Sequence, residues 1–131
     1  GANEKFFNNF KLNNISTTNK IEFKPGLLST ERGENQYLME DLIANEKQPI
    51  FILMDIEGLE SSLLKSNNQL IVNKKLIFII ETHSYRNEND CIEVLQNAGY
   101  KTKIVKQARW RQLIPEERVI LHNRWIYATN I

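Results

Sequence analysis

The 131-residue sequence contains a single cysteine, Cys91, so an internal disulfide is excluded. One free thiol fits a reducing compartment, and we therefore expect a cytoplasmic location. The five glycines include no G-x-G arrangement, which excludes a dinucleotide fingerprint or a phosphate-binding glycine loop within these residues. A nucleophile elbow and a paired-cysteine metal motif are also missing from the sequence. Any chemistry must therefore depend on other residue types.

The sequence also lacks an excess of charge and a long apolar run. Its 17 basic and 16 acidic side chains leave a net charge of +1, so we expect no nucleic-acid or anionic-membrane partner. The longest apolar run is far shorter than a membrane span, and the polar start, GANEKFFNNF, does not resemble a signal peptide. The apolar fraction of 41% and the charged fraction of 25% are typical of one globular domain.

The hydrophobic pattern alternates between strands and helices. It predicts helices over 3–13, 37–46, 58–72 and 87–98, and strands over 20–24, 50–56, 75–83, 101–105 and 122–129. Gly99 is expected to end the last helix. The segment IFILMDI is almost entirely apolar, which is typical of a strand covered by helices on both faces. The pattern therefore predicts a three-layer α/β sandwich with a mostly parallel sheet and an antiparallel last strand.

Polar residues follow both of the most apolar strands. Asp55 and Glu57 come after the first, and Glu81 and His83 end the second. Ligands bind at the carboxyl ends of strands in such sheets, so these four residues are candidate catalytic groups. Asp55, Glu81 and His83 could also hold a divalent metal ion. The alternative is that the acids cap helices or pair with basic side chains at the sheet edge. We expect a structural role for His122.

A second candidate site lies in the polar connection before the last strand. Arg109, Trp110 and Arg111 combine cationic and aromatic groups, which suits an anionic or sugar-like small-molecule substrate. The alternative is a loop that Trp110 anchors to the core.

The run MDIEGLESSLLKSNNQLI resembles the hallmark segment of the FkbM-type methyltransferases. Asp55, Ile56, Glu57, Gly58 and Glu60 match that segment, whereas a methionine precedes Asp55 where the family often has lysine. FIIETHSYR is similar to the next strand of the family, and LHNRWIYATN is similar to its closing strand. The resemblance extends over nearly the whole chain.

This resemblance implies a Rossmann-like class I fold and S-adenosylmethionine-dependent methyl transfer to a hydroxyl of a sugar or another small metabolite. Asp55 would face the methyl donor, Asn3 would follow the ribose-binding acid, and Leu28 and Ser29 would lie near the adenine. Some other class I methyltransferases hold Mg²⁺ with acids at the ends of the same two strands, an analogy that favours the metal site.

The first strands of the family and their glycine-rich loop have no counterpart in these residues. We therefore expect 1–131 to be a single, N-terminally truncated methyltransferase-like domain that binds the cofactor poorly by itself. Strand 50–56 would lose its neighbour, so we expect strand 20–24 to pair with it or the chain to form a homo-oligomer through that edge.

Two other functions stay open at this point. The chain could be a non-catalytic methyltransferase-like module that acts in binding or assembly. It could also be a small metal-dependent hydrolase that uses Asp55, Glu81 and His83.

Overall fold

The computed structural model describes residues 2–13, 22–106, 122 and 124–131, with only the backbone described at positions 2 and 3. The helices are α1 (Ala2–Leu12), α2 (Met39–Ile43), α3 (Glu60–Ser66), α4 (Asn68–Asn73) and α5 (Tyr85–Asn97). The strands are β1 (Leu27–Leu28), β2 (Gln36–Tyr37), β3 (Ile50–Met54), β4 (Leu76–Thr82), β5 (Lys101–Lys106) and β6 (Arg124–Thr129). Within these ranges, no helix has the length and apolar character needed to cross a membrane.

The main sheet has four strands in the order β3-β4-β6-β5. β3 and β4 are parallel, with Met54 paired to Ile80. β6 lies between β4 and β5 and is antiparallel to both. β1 and β2 form a separate small parallel pair. The predicted α/β class and the antiparallel last strand are confirmed. Because β3 and β4 are parallel, their carboxyl ends lie at the same end of the sheet, and the candidate residues follow these strand ends.

One face of the sheet forms the hydrophobic core. In β4, alternate residues from Leu76 to Thr82 are buried, which is the period-two pattern of a strand with one covered face. These side chains belong to a core cluster with Met54 of β3 and with residues of α3 and α5, among them Leu64 and Leu95. Complete burial of each Leu or Phe contributes about 1.5–3 kcal/mol. This packing holds α3 and α5 against the sheet below the candidate site.

The prediction that strand 50–56 is covered on both faces is wrong. Phe51 is 59% exposed and Leu53 is 64% exposed, whereas Met54 is buried. β3 is an edge strand of the four-stranded sheet, and on its other face Met54 belongs to the core cluster while Ile50 and Ile52 pack against it. Residues 22–24 are not in a strand, so the described part of segment 20–24 does not pair with β3.

The predicted helix 58–72 is two helices that meet at Asn67. The backbone departs from helical angles at Asn67 (φ −105°, ψ 21°), whose side-chain amide donates to the carbonyl of Leu63 at 2.9 Å. α5 begins at Tyr85, two residues before the predicted start. Gly99 follows α5 with φ +85°, and the next N–H, of Tyr100, donates to the carbonyl of Leu95 at 2.9 Å. The predicted glycine end of this helix is therefore confirmed.

Candidate functional site

The loop after β3 turns sharply through two residues with left-handed backbone. Glu57 has φ 55° and Gly58 has φ 99°. Glycine adopts this region without a steric cost, whereas a left-handed glutamate costs on the order of 1 kcal/mol. The turn leaves the Asp55 and Glu57 side chains 51% and 85% exposed. Two carboxylates are thus presented to solvent at the carboxyl end of β3.

His83, directly after β4, joins these two carboxylates. Its Nε2 lies 3.3 Å from Asp55 Oδ1 and 3.5 Å from Glu57 Oε2. One ligand atom from each of the three residues lies within 4.8 Å of the others. We call Asp55, Glu57 and His83 the carboxylate–histidine group. It contains three potential metal ligands, two of them predicted as ligands from the sequence.

A buried carboxylate lies behind this group. The Glu60 side chain is 0% exposed, and its Oε1 is 3.0 Å from His83 Nδ1. The same oxygen accepts the backbone N–H groups of Ile56 at 3.3 Å and Gly58 at 3.1 Å. Its Oε2 has no hydrogen-bond partner within the described ranges. Glu60 therefore fixes both the turn after β3 and the orientation of the imidazole.

Asn87 of α5 holds the same turn from the other side. Its Nδ2 donates to the carbonyl of Gly58 at 3.0 Å and lies 3.4 Å from Ser61 Oγ. Asn87 is in place because its backbone N–H donates at 3.1 Å to Ser84 Oγ, the cap of α5. Glu60 and Asn87 were not among the predicted site residues. The only sequence signal was the D-x-E-G-x-E spacing for Glu60, and Asn87 gave none.

A second polar network lies beside the first, between α5 and β6. Glu88 is 2% exposed and accepts a hydrogen bond from Arg124 Nε at 2.7 Å. That bond raises the pKa of Arg124, so its guanidinium stays charged. His122 Nε2 lies 2.9 Å from Thr82 Oγ1, and the Thr82 hydroxyl donates to the carbonyl of Arg124 at 3.0 Å. These contacts agree with a structural role for His122.

Glu81 does not belong to the carboxylate–histidine group. It is half-buried between the buried residues Ile80 and Thr82, so strand alternation directs its side chain to the opposite face of the sheet. His83 lies beyond the end of β4 and reaches Glu60 of α3. The sequence-based ligand set Asp55, Glu81 and His83 is therefore corrected, with Glu57 in place of Glu81.

Two cavities adjoin the site. One, of about 410 Å³, is lined by Leu28, Ser29 and Ile56 together with residues of β1, β2 and α3. A second, of about 150 Å³, is lined by Leu28, Asp55 and Ile56 together with residues of α2 and β3. The two residues predicted to lie near the adenine thus share a cavity wall with the hallmark segment.

The remaining predicted site residues are Asn3, Arg109, Trp110 and Arg111, whose side chains are not among those described. Asn3, predicted to follow the ribose-binding acid, is the second residue of α1. Arg109, Trp110 and Arg111 lie outside the described residues.

Comparison with known proteins adds no family. No family model, curated protein or solved structure matches this chain. The likeness to the FkbM-type methyltransferases therefore rests on the sequence motif alone.

Proposed function

We propose that this chain is an S-adenosylmethionine-dependent methyltransferase of the FkbM type that acts on a hydroxyl of a sugar or a similar small metabolite. The observation that carries the proposal is the turn formed by the D-x-E-G segment. It places Asp55 beside His83, and it places Ile56 in the wall of a cavity with Leu28 and Ser29. A mixed sheet with an antiparallel last strand supports the same interpretation.

The cavity wall has the chemistry that part of the cofactor requires. Leu27, Leu28 and Ile56 supply apolar surface for a flat purine, and Ser29 and Gln36 supply hydrogen-bonding groups. The nearby carboxylates Asp55 and Glu57 suit the positive charge of the sulfonium. When bound, S-adenosylmethionine supplies an electrophilic methyl group. The cavity-lining residues thus fit the adenine, and the two carboxylates fit the sulfonium.

The imidazole of His83 can serve the acceptor hydroxyl. In the tautomer that donates its Nδ1 hydrogen to Glu60, the Nε2 lone pair faces the solvent-accessible carboxylates. A hydroxyl seated against Nε2 can transfer its proton there, and such general-base assistance contributes typically 10²–10⁴-fold to a rate. Glu60 holds the ring in place, because its buried Oε1 lies 3.0 Å from Nδ1.

The test is nuclear magnetic resonance with S-adenosylhomocysteine, which also detects weak binding. We expect the ligand to shift the amide signals of Leu28, Ser29 and Ile56. Leu27→Asp, which places a charge in the cavity wall, should abolish these shifts. Val72→Asp is the matched control, because Val72 is 49% exposed on α4 and lines neither site cavity. Unchanged cavity signals at millimolar ligand would refute the proposal.

A further inference from the structure

We infer that Asp55, Glu57 and His83 bind one divalent cation of intermediate hardness, such as Mn²⁺ or Zn²⁺, with Glu60 as the positioning residue behind His83. Carboxylate oxygen and imidazole nitrogen together favour these ions over Mg²⁺ and Ca²⁺, which prefer oxygen ligands alone. An ion on Nε2 would take up the lone pair to which the proposed methyl transfer delivers the hydroxyl proton, so His83 would act as a base only in the metal-free chain; the cation-binding experiment does not depend on that transfer.

The two distances from His83 Nε2 match those expected for ligands of one ion. Two ligand atoms at about 2.1 Å from one ion in tetrahedral geometry are about 3.4 Å apart. The observed separations from His83 Nε2 are 3.3 Å to Asp55 Oδ1 and 3.5 Å to Glu57 Oε2. Because both carboxylates are at least half exposed, further coordination positions would be open to water or a substrate oxygen. This is the arrangement of a reactive rather than a closed structural site.

The charges around His83 point to the same conclusion. Its ring is surrounded by three carboxylates, those of Asp55, Glu57 and Glu60. Among the ion pairs formed by the described residues, none brings a lysine or arginine to any of the three. In the neutral tautomer that donates its Nδ1 hydrogen to Glu60, the Nε2 lone pair would point at two negative oxygens. A divalent cation between these three atoms turns that repulsion into attraction.

Glu60 supplies an independent argument. A buried carboxylate is costly unless positive charge compensates it, and Glu60 is 0% exposed with one oxygen unpartnered. A neutral imidazole provides a hydrogen bond but no charge. A cation on Nε2 makes the Nδ1–H more acidic and the bond to Glu60 stronger. Carboxylate–histidine–metal triads of this kind orient ligands in many metal sites.

The experiment is a calorimetric titration of the 131-residue chain with MnCl₂, ZnCl₂ or MgCl₂ alone, followed by Mn²⁺ electron paramagnetic resonance. We expect one Mn²⁺ or Zn²⁺ ion to bind per chain, and Mg²⁺ to bind at least about 10-fold more weakly. Asp55→Asn and Glu57→Gln should each weaken Mn²⁺ binding at least about 10-fold. His83→Asn should do the same while keeping an amide donor for Glu60, so that the fold is preserved.

Two further variants distinguish a specific ligand site from nonspecific attraction of the cation by carboxylates. Glu60→Gln keeps an acceptor oxygen but removes the charge, and it should weaken Mn²⁺ binding about 10–100-fold. Glu93→Gln removes an exposed carboxylate of α5 and should leave binding unchanged. Millimolar or weaker binding by the native chain, or equal binding by the native chain and His83→Asn, would overturn the inference. Because no cofactor is added, this failure is distinct from a failure to bind S-adenosylhomocysteine.

Discussion

Replacing Asn87 with alanine removes the side chain that ties α5 to the turn carrying the carboxylate–histidine group. The amide of Asn87 donates to the carbonyl of Gly58 at 3.0 Å and is 8% exposed. The cap of α5 survives the change, since it uses the backbone N–H of Asn87. Asn87→Ala therefore tests the link between α5 and the turn, with the longer contact to Ser61 Oγ at 3.4 Å lost at the same time.

The magnitude follows from three contributions. The lost buried hydrogen bond costs about 1–2 kcal/mol, because the Gly58 carbonyl loses its partner. The small cavity left by the amide costs about 1 kcal/mol. Alanine is the better helix former, which returns about 0.6 kcal/mol. We expect a net loss of about 2 kcal/mol in the free energy of unfolding, equivalent to a fall in Tm of roughly 7 °C for a domain of this size.

The matched control is Asn73→Ala. The side-chain amide of Asn73 also donates to a backbone carbonyl, that of Gln69 at 2.8 Å, but this bond is exposed to water. Its loss should change stability by no more than about 0.5 kcal/mol. Urea denaturation of the native chain and both variants gives the comparison. Hydrogen exchange at the Gly58 amide, which donates to Glu60, should accelerate only in Asn87→Ala.

Equal unfolding free energies for Asn87→Ala and Asn73→Ala would refute this reasoning. Slow Gly58 exchange in Asn87→Ala would also do so, because it would mean that Glu60 alone holds the turn.

Two other predictions concern the strand edge and the buried thiol. We expect the native chain to self-associate through β3, where Phe51 and Leu53 are exposed. In light scattering, the double variant Phe51→Lys/Leu53→Lys should be monomeric, whereas the control Val72→Lys should still associate. A native chain that is monomeric at every concentration would contradict this. Burial raises the pKa of the Cys91 thiol from 9.0 to about 12, so the native thiol should resist a disulfide reagent at pH 8. Since the unfolded thiol ionises first, the unfolding free energy should fall between about pH 9 and 12 more steeply than in Cys91→Ala; parallel curves would exclude this contribution.

Much of the fold could be predicted from local pattern. The apolar runs of β3 and β4, the amphipathic α5 and the glycine after it each carry a signal within a few residues, and all four are found. The break at Asn67 was missed because both flanking segments have helical apolar spacing, and only the backbone angles at Asn67 mark the boundary. The prediction that both faces of β3 are covered was wrong, because an apolar run such as IFILM does not reveal whether its strand lies at the edge of the sheet.

The sequence by itself determined that acids and a histidine follow two neighbouring strands of an α/β sheet, since strand periodicity and parallel pairing bring carboxyl ends together. Only the tertiary structure decided which of them meet. Strand alternation turns Glu81 away, the left-handed turn at Glu57 and Gly58 brings Glu57 to His83, and helix packing buries Glu60 behind the ring. The contacts of His83 with Asp55, Glu57 and Glu60 join residues more than twenty positions apart, which no local pattern of side chains encodes.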